Sequence, residues 1–290
     1  MNRALCDLHT HSHYSDGTDA PKELIEAAEA LGLASIALCD HNTVSGLPEF
    51  LEAAEGKRVT AVPGIEISAD HAGTELHILG LFLPLDRLGE VSDLMEAVQI
   101  RKRESNRALI EALCAAGYRV DYDAIAGKTP NGDFNRAHIA AALTEQGYTP
   151  SISAAFGTLL SEERGFYRPP ARLDAYEVID FLSSIGAVSV LAHPSLNLSE
   201  AALLRFLPKA KMYGLCGMET RYSLYDGKTE ARMTEIAHDF DLCESGGSDY
   251  HGKTKPDTLL MRGKGTLAVP KDFADRLAMC QGHNELPPQA

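Results

Sequence analysis

The chain has 290 residues, of which 44% are hydrophobic, and its 41 acidic side chains outnumber 27 Lys and Arg for a formal charge of -14. That balance argues against a broad basic footprint for duplex nucleic acid, which needs clustered Lys and Arg, but it admits a small anionic substrate wherever bound cations reverse the local sign. No apolar run approaches the roughly 18 residues of a spanning helix, and no leader-like apolar segment follows Met1-Asn2-Arg3, so a cytoplasmic protein without a membrane partner is expected.

In chain order, short apolar runs alternate with helical patterns: strand 4 to 8, helix 21 to 31, strand 34 to 39, helix 46 to 55, strand 59 to 65 and strand 76 to 83. Pro21 suits a first helical turn and Gly32 a C-terminal stop, with Leu24, Ala27, Ala28 and Leu31 as the apolar face. From about 90 to 170 the pattern turns helix-rich and charged, which reads as a helical insertion over 91–170. Within it, Arg101-Lys102-Arg103 reads as a solvated helix face. Alternation resumes with helix 173 to 185, strand 187 to 191, helix 199 to 207, strand 215 to 219, helix 228 to 239, strand 241 to 245 and a last strand near 266 to 269. This rhythm favours a parallel α/β sheet. The length fits one β/α barrel with an insertion, built from 1–90 and 171–290, as well as it fits two ordinary domains. Cys6, Cys39, Cys114, Cys216, Cys243 and Cys280 form no C-x-x-C pair, and they read as reduced core thiols. The tail from Glu285 to Ala290 reads as frayed.

The chemistry-bearing residues recur at strand ends, where an α/β barrel gathers distant positions into one site. His9 and His11 follow the first strand, Asp40 and His41 the second, Glu66 the third; His77 lies in the next, His193 follows 188 to 191, and Asp249 and His251 follow Leu242. His9 and His11 alternate with Thr10, so an extended chain turns both imidazoles to one side. Imidazole with carboxylate and no paired thiolate suits an open site for zinc, manganese or iron rather than a closed structural zinc. Glu66 has the two oxygens needed to bridge cations. Asp16-Gly17 also reads as a turn, Asp40 also as an orienter of His41, and His13, His71, His238 and His283 as surface residues.

At these residues the chain resembles the PHP (polymerase and histidinol phosphatase) family. Asp7-Leu8-His9-Thr10-His11-Ser12 looks like its first motif and Cys39-Asp40-His41-Asn42 its second. Ala192-His193-Pro194 and Gly247-Ser248-Asp249-Tyr250-His251-Gly252 look like its third and fourth. The resemblance implies a distorted seven-stranded β/α barrel, a (β/α)7 fold with a helical insertion, holding two or three divalent metals. It implies one site of His9, His11, Glu66 and Asp249, a second of Glu66, His77 and His193, and a third of Asp16, His41 and His251. Many relatives carry histidine where this chain has Asp16. Among members it looks most like small stand-alone phosphoesterases, including nucleoside 3',5'-bisphosphate phosphatases and 5'-3' exoribonucleases acting on short RNA.

The expected reaction is therefore in-line attack on a phosphomonoester by hydroxide that bridging cations generate near neutral pH, with Asp249, His193 and His251 as catalytic candidates and Asp249 the first choice for proton handling. A second substrate phosphate needs cationic groups outside the metal cluster. Asn135-Arg136-Ala137-His138 opens a predicted helix, where N–H groups and a forked guanidinium favour an anion, and Arg172 is a further candidate. Phe134, Tyr167 or Tyr222 could stack on a base. The competing readings are a sugar-phosphate or histidinol-phosphate phosphatase, an amidohydrolase, whose mid-barrel lysine has no clear counterpart here, and a noncatalytic metal-binding regulatory module.

Overall fold

The computed structural model describes residues 4–129, 132–164 and 166–281; His283 and the tail expected to fray lie outside them. The chain runs through β1 (Leu5–Thr10), α1 (Pro21–Leu31), β2 (Ser35–Leu38), α2 (Leu47–Ala54), β3 (Thr60–His71) and β4 (Thr74–Leu81) into α3 (Leu88–Ala115). Then follow α4 (Tyr122–Ala126), α5 (Arg136–Glu145), α6 (Ile152–Gly157), β5 (Leu173–Asp174), α7 (Ala175–Ser184), β6 (Val188–Leu191), α8 (Pro194–Asn197) and α9 (Glu200–Met212). The last elements are β7 (Gly217–Tyr222), α10 (Gly227–Asp239), β8 (Cys243–Gly247), β9 (Val269–Pro270) and α11 (Lys271–Cys280). Local chemistry accounts for many of these boundaries. Pro21 starts α1 and Gly32, at φ 72°, stops it; the carboxylates of Asp174 and Asp226 accept backbone N–H groups at the starts of α7 and α10.

Seven strands follow one another in the order β8-β7-β6-β4-β3-β2-β1, with two-residue β9 on β1 and β5 on β3. The ends of this row meet. Asp249 N–H donates to His9 O (2.9 Å) and His11 N–H to Tyr250 O (2.9 Å), so the sheet is a nearly closed, distorted (β/α)7 barrel. It is not wholly parallel: β4 runs antiparallel to both β3 and β6. The reason is connection length, since only two residues join β3 to β4, and a parallel crossover needs a dozen or more. Helix α9 also differs from expectation, continuing through Pro208 to Met212 because Leu207 and Ala210 extend its buried stripe.

One apolar cluster packs α1, α2, α7, α9 and α10 on the strands through residues such as Leu24, Phe50, Ile65, Leu182, Phe206 and Ile236. A second joins α11 to β1, β3, β4 and β6. The helical stretch has its own cluster, with Leu109, Leu113, Phe134, Ile139, Leu143 and Leu160. Helix α3 belongs to both, since Val91, Met95 and Val98 pack with the barrel. Cys6 and Cys39 are buried, Cys114 is exposed rather than core, and Cys216, Cys243 and Cys280 are half-buried. His71 packs edge-on against Phe206 and Tyr176 and is not a plain surface residue.

Barrel closure needs glycine at 247, where a Cβ would overlap the backbone and Cβ of His9 on the neighbouring strand. Gly247→Ala should therefore force β8 from β1 and destabilise the metal-free protein by about 1–3 kcal/mol. A denaturant midpoint equal to wild type would show that the strands have slack there.

Candidate metal centre

The strand ends converge as the barrel demands. All nine nominated side chains fall into four overlapping groups whose donor atoms lie within 4.8 Å of one another: His9, His11 and Asp249; His9, Glu66 and His193; His41, Glu66 and His77; and His11, Asp16, His41 and His251. His77 reaches the cluster from mid-strand because β4 is antiparallel: its carbonyl accepts from Ala192 N–H, beside His193. Asp16 turns to the imidazoles of His251 (3.1 Å) and His41 (3.8 Å), so it is more than a turn residue. His11 also stands 4.0 Å from Asp16, linking two of the expected sites.

Three site residues have left-handed backbone without being glycine: Asn42 (φ 53°), His193 (φ 28°) and Asp249 (φ 52°). Such conformations cost about 1–3 kcal/mol each and concentrate at functional sites.

Glu66 is 1% exposed, and its two oxygens meet five imidazoles: Oε1 those of His77 (2.8 Å) and His193 (3.2 Å), Oε2 those of His41 (3.1 Å), His9 and His11 (both 3.3 Å). Burial alone would raise its pKa, but His41, His77 and His9 outweigh it and hold Glu66 well below the ordinary carboxylate range. Burial likewise disfavours charge on His77, yet Glu66 and Glu75 outweigh burial and raise it to about 10.

Divalent cations fit this donor set. Among the described residues, His9 Nε2, both ring nitrogens of His11, His41 Nδ1 and Glu66 Oε2 are buried without a hydrogen-bond partner. Unpaired buried polar atoms are costly and rare, and five clustered in one place are what metal coordination would satisfy. The mixed nitrogen and oxygen chemistry suits zinc, manganese or iron.

A surrounding layer orients these groups. Glu219, fully buried on β7, accepts from His9 Nδ1 (3.0 Å) and from His193 N–H (2.7 Å), leaving His9 Nε2 for the centre. A carboxylate inside an apolar strand was the available sequence signal for Glu219. Asp7 accepts from Ser248 and from Met261 N–H, pinning the fourth motif to the first. Asp40 does not hold His41; it accepts from Ser12 and Ser15, fixing the loop that carries Asp16. Tyr222 OH and Lys255 Nζ both donate to Asp249 Oδ2 at 2.7 Å.

Beside the centre lies a cavity of about 310 Å³ between the barrel mouth and the helical stretch, lined by Asp16, His41, His77, Lys102, Asn135, Arg136, Tyr167 and Arg172 among others. Arg136 opens α5 as expected, its guanidinium 3.9 Å from the centre of the Tyr167 ring. His138 is not on the cavity wall; its Nδ1 caps Asn135 N–H (3.2 Å), and Arg172 is tied to Glu75 (2.6 Å). Lys102 is no solvated face: burial lowers its ammonium to about 8, with Asp16 and Asp133 opposing. Phe134 is core and Tyr222 is engaged with Asp249, so neither is open to a base.

The chain matches the model of the PHP domain over residues 7–177. It is 32% identical to a phosphoribosyl 1,2-cyclic phosphate 1,2-diphosphodiesterase of Eggerthella lenta, across 85% of this chain and 94% of that one. It is 29% identical to a 5'-3' exoribonuclease of Haemophilus influenzae (84% and 89%) and 26% to a 3',5'-nucleoside bisphosphate phosphatase of Chromobacterium violaceum (86% and 87%). A solved structure of a metal-dependent phosphoesterase from Bifidobacterium adolescentis superposes with a TM-score of 0.84 at 27% identity, covering 97% of each chain. Among the described residues no helix is long and apolar enough to cross a membrane. With the barrel, the clustered donors and these likenesses in agreement, the chain belongs to the PHP domain family and is a metal-dependent phosphoesterase.

Proposed function

We propose that the enzyme hydrolyses a phosphomonoester of a small nucleotide, removing the 3'-phosphate of a nucleoside 3',5'-bisphosphate. The observation that carries this reading is a second cationic wall: Lys102 and Arg136 face the same cavity as His41, His77 and Asp16, with Arg172, paired to Glu75, at its border. One phosphate would lie at the metal cluster while the other meets Arg136, with Lys102 alongside and Asn135 at the helix start. Tyr167 stiffens Arg136 from below, and the 91–170 stretch acts as the pocket's outer wall.

His9, His11, Asp16, His41, Glu66, His77, His193, Asp249 and His251 would hold two or three ions of manganese, zinc or iron. Such ions polarise phosphoryl oxygens and bring the pKa of water toward neutrality. The protein's own part is to fix donors: Glu219 holds the His9 proton at Nδ1, and Asn197 meets His193 Nδ1 at 3.0 Å, leaving Nε2 inward. His193, Asp249 and His251 are assigned to the surroundings of the reacting phosphate.

The test is phosphate release from a mononucleotide, a 3',5'-bisphosphate, a cyclic ribose phosphate and a short oligoribonucleotide, with metal analysis of the same sample. The bisphosphate should be preferred; equal rates on mononucleotide and bisphosphate reject the reading, and stepwise release of mononucleotides from the oligomer would favour the exoribonuclease. Arg136→Met should lower kcat/KM for the bisphosphate by about 10- to 100-fold, the worth of one charge-assisted contact, while changing mononucleotide turnover little. An equal loss on both substrates would move Arg136 from substrate selection to general support of the pocket.

A further inference from the structure

We propose that Lys255, acting with Tyr222, is a positioning residue that makes Asp249 a one-oxygen ligand; this rests on the metal-centre reading above. Both donors reach the same oxygen, Oδ2, at 2.7 Å, one from the end of β7 and one from the segment following Gly252–Thr254. Two such bonds occupy the two lone pairs of a carboxylate oxygen. The other oxygen, Oδ1, faces His11 Nε2 (3.2 Å) and His9 Nε2 (3.8 Å). The two oxygens are therefore divided, one toward protein donors and one toward the imidazoles. Asp249 also sits in left-handed backbone, held by its N–H on His9 O, so rotation of its carboxylate is the freedom left for the clamp to remove.

Lys255 is the only ammonium or guanidinium within 4.0 Å of a nominated carboxylate ligand among the described residues. It offsets part of the charge that Asp249 brings. With Asp249, Tyr222, Ser223 and Thr258 it lines a cavity of about 230 Å³, and neither Lys255 nor Asp249 lines the cavity of Arg136.

The experiment is a chelator-competition titration with Mn(II) of wild type, Lys255→Met, Lys255→Arg and Tyr222→Phe, each also assayed for phosphate release. Loss of an orienting partner typically costs about 10- to 100-fold in metal affinity. Lys255→Met should show that loss for one metal equivalent and leave the rest as in wild type. Lys255→Arg should recover a substantial part, and Tyr222→Phe should weaken the same equivalent. Wild-type affinity for every equivalent in Lys255→Met overturns the proposal, as does an equal loss across all equivalents, which marks a general loss of fold. If wild type itself takes up no metal, the metal-centre reading fails instead, an outcome distinct from either.

Discussion

Glu66→Gln is expected to lower kcat/KM for phosphate release by about a thousandfold, because the Lewis acidity at stake amounts to several kcal/mol of transition-state stabilisation. The substitution keeps shape and removes only charge and one acceptor. Glu66 is the residue for which that change reaches furthest, since its two oxygens meet five imidazoles drawn from β1, the β2 end, β4 and the β6 end. An amide would turn an N–H₂ toward ring nitrogens that are themselves needed as donors to metal, and the bound metal should fall together with turnover. Asp16→Asn provides the comparison. Asp16 lies at the edge of the cluster near three imidazoles at 3.1, 3.8 and 4.0 Å, so its loss should be the smaller. Steady-state assay with metal analysis of the same preparations checks both, and a Glu66→Gln enzyme with full metal and turnover within a factor of ten would remove Glu66 from the shared position.

The second large effect is on pH. In the metal-free protein His77 is held up to about 10, burial being outweighed by Glu66 and Glu75, and His9 is also held well above its ordinary value, burial being outweighed by Glu66 and Glu219. The His77 ring is then protonated at neutral pH, and a metal-ligating imidazole must be neutral. Metal uptake should therefore release protons, and apparent affinity should rise about tenfold per pH unit for each proton displaced. Calorimetric titration in two buffers of different ionisation enthalpy measures the count directly; a heat independent of buffer would contradict it. The stability of the metal-free fold follows with the sign worked through. His77 has a folded pKa above its unfolded 6.5, so its contribution is fully present below about pH 6.5 and is lost as pH rises through 10. Glu75 is depressed to about 2, with burial outweighed by His77 and Arg172, so its contribution is present above 4.5 and lost as pH falls through 2. The metal-free melting temperature should accordingly decline between pH 6.5 and 10.

How far the chain could be read in advance is clearest from particular elements. Helix α1 came out at its predicted bounds because Pro21 and Gly32 act on their own neighbours, and a local cause is visible in a local window. The ends of β1, β2 and β6 were placed within a residue or two for a similar reason, since apolar runs stop where polar motif residues begin. Strand β4 departs from the parallel expectation, and its cue, two strands with no helix between them, stands in the sequence. Lys102 departs from a solvated face because the fold lays that turn of α3 over the cavity, which three consecutive cations do not reveal.

The sequence by itself determined which residue types stand at the strand ends, and hence that imidazoles and carboxylates, rather than thiols, would meet at the barrel mouth. It also determined an acidic chain with an interrupting helical stretch. Only the tertiary structure decided which oxygen faces which ring: that Glu66 is the hub, that Glu219 holds His9, that Asp40 serves the Asp16 loop and not His41, and that Tyr222 and Lys255 share one oxygen of Asp249. The physical reason is that these bonds depend on side-chain direction to within a fraction of a bond length between residues as far apart as Asp7 and Ser248. Spacing along a chain carries periodicity and caps, while the closing of the barrel and the left-handed turns at His193 and Asp249 set those directions.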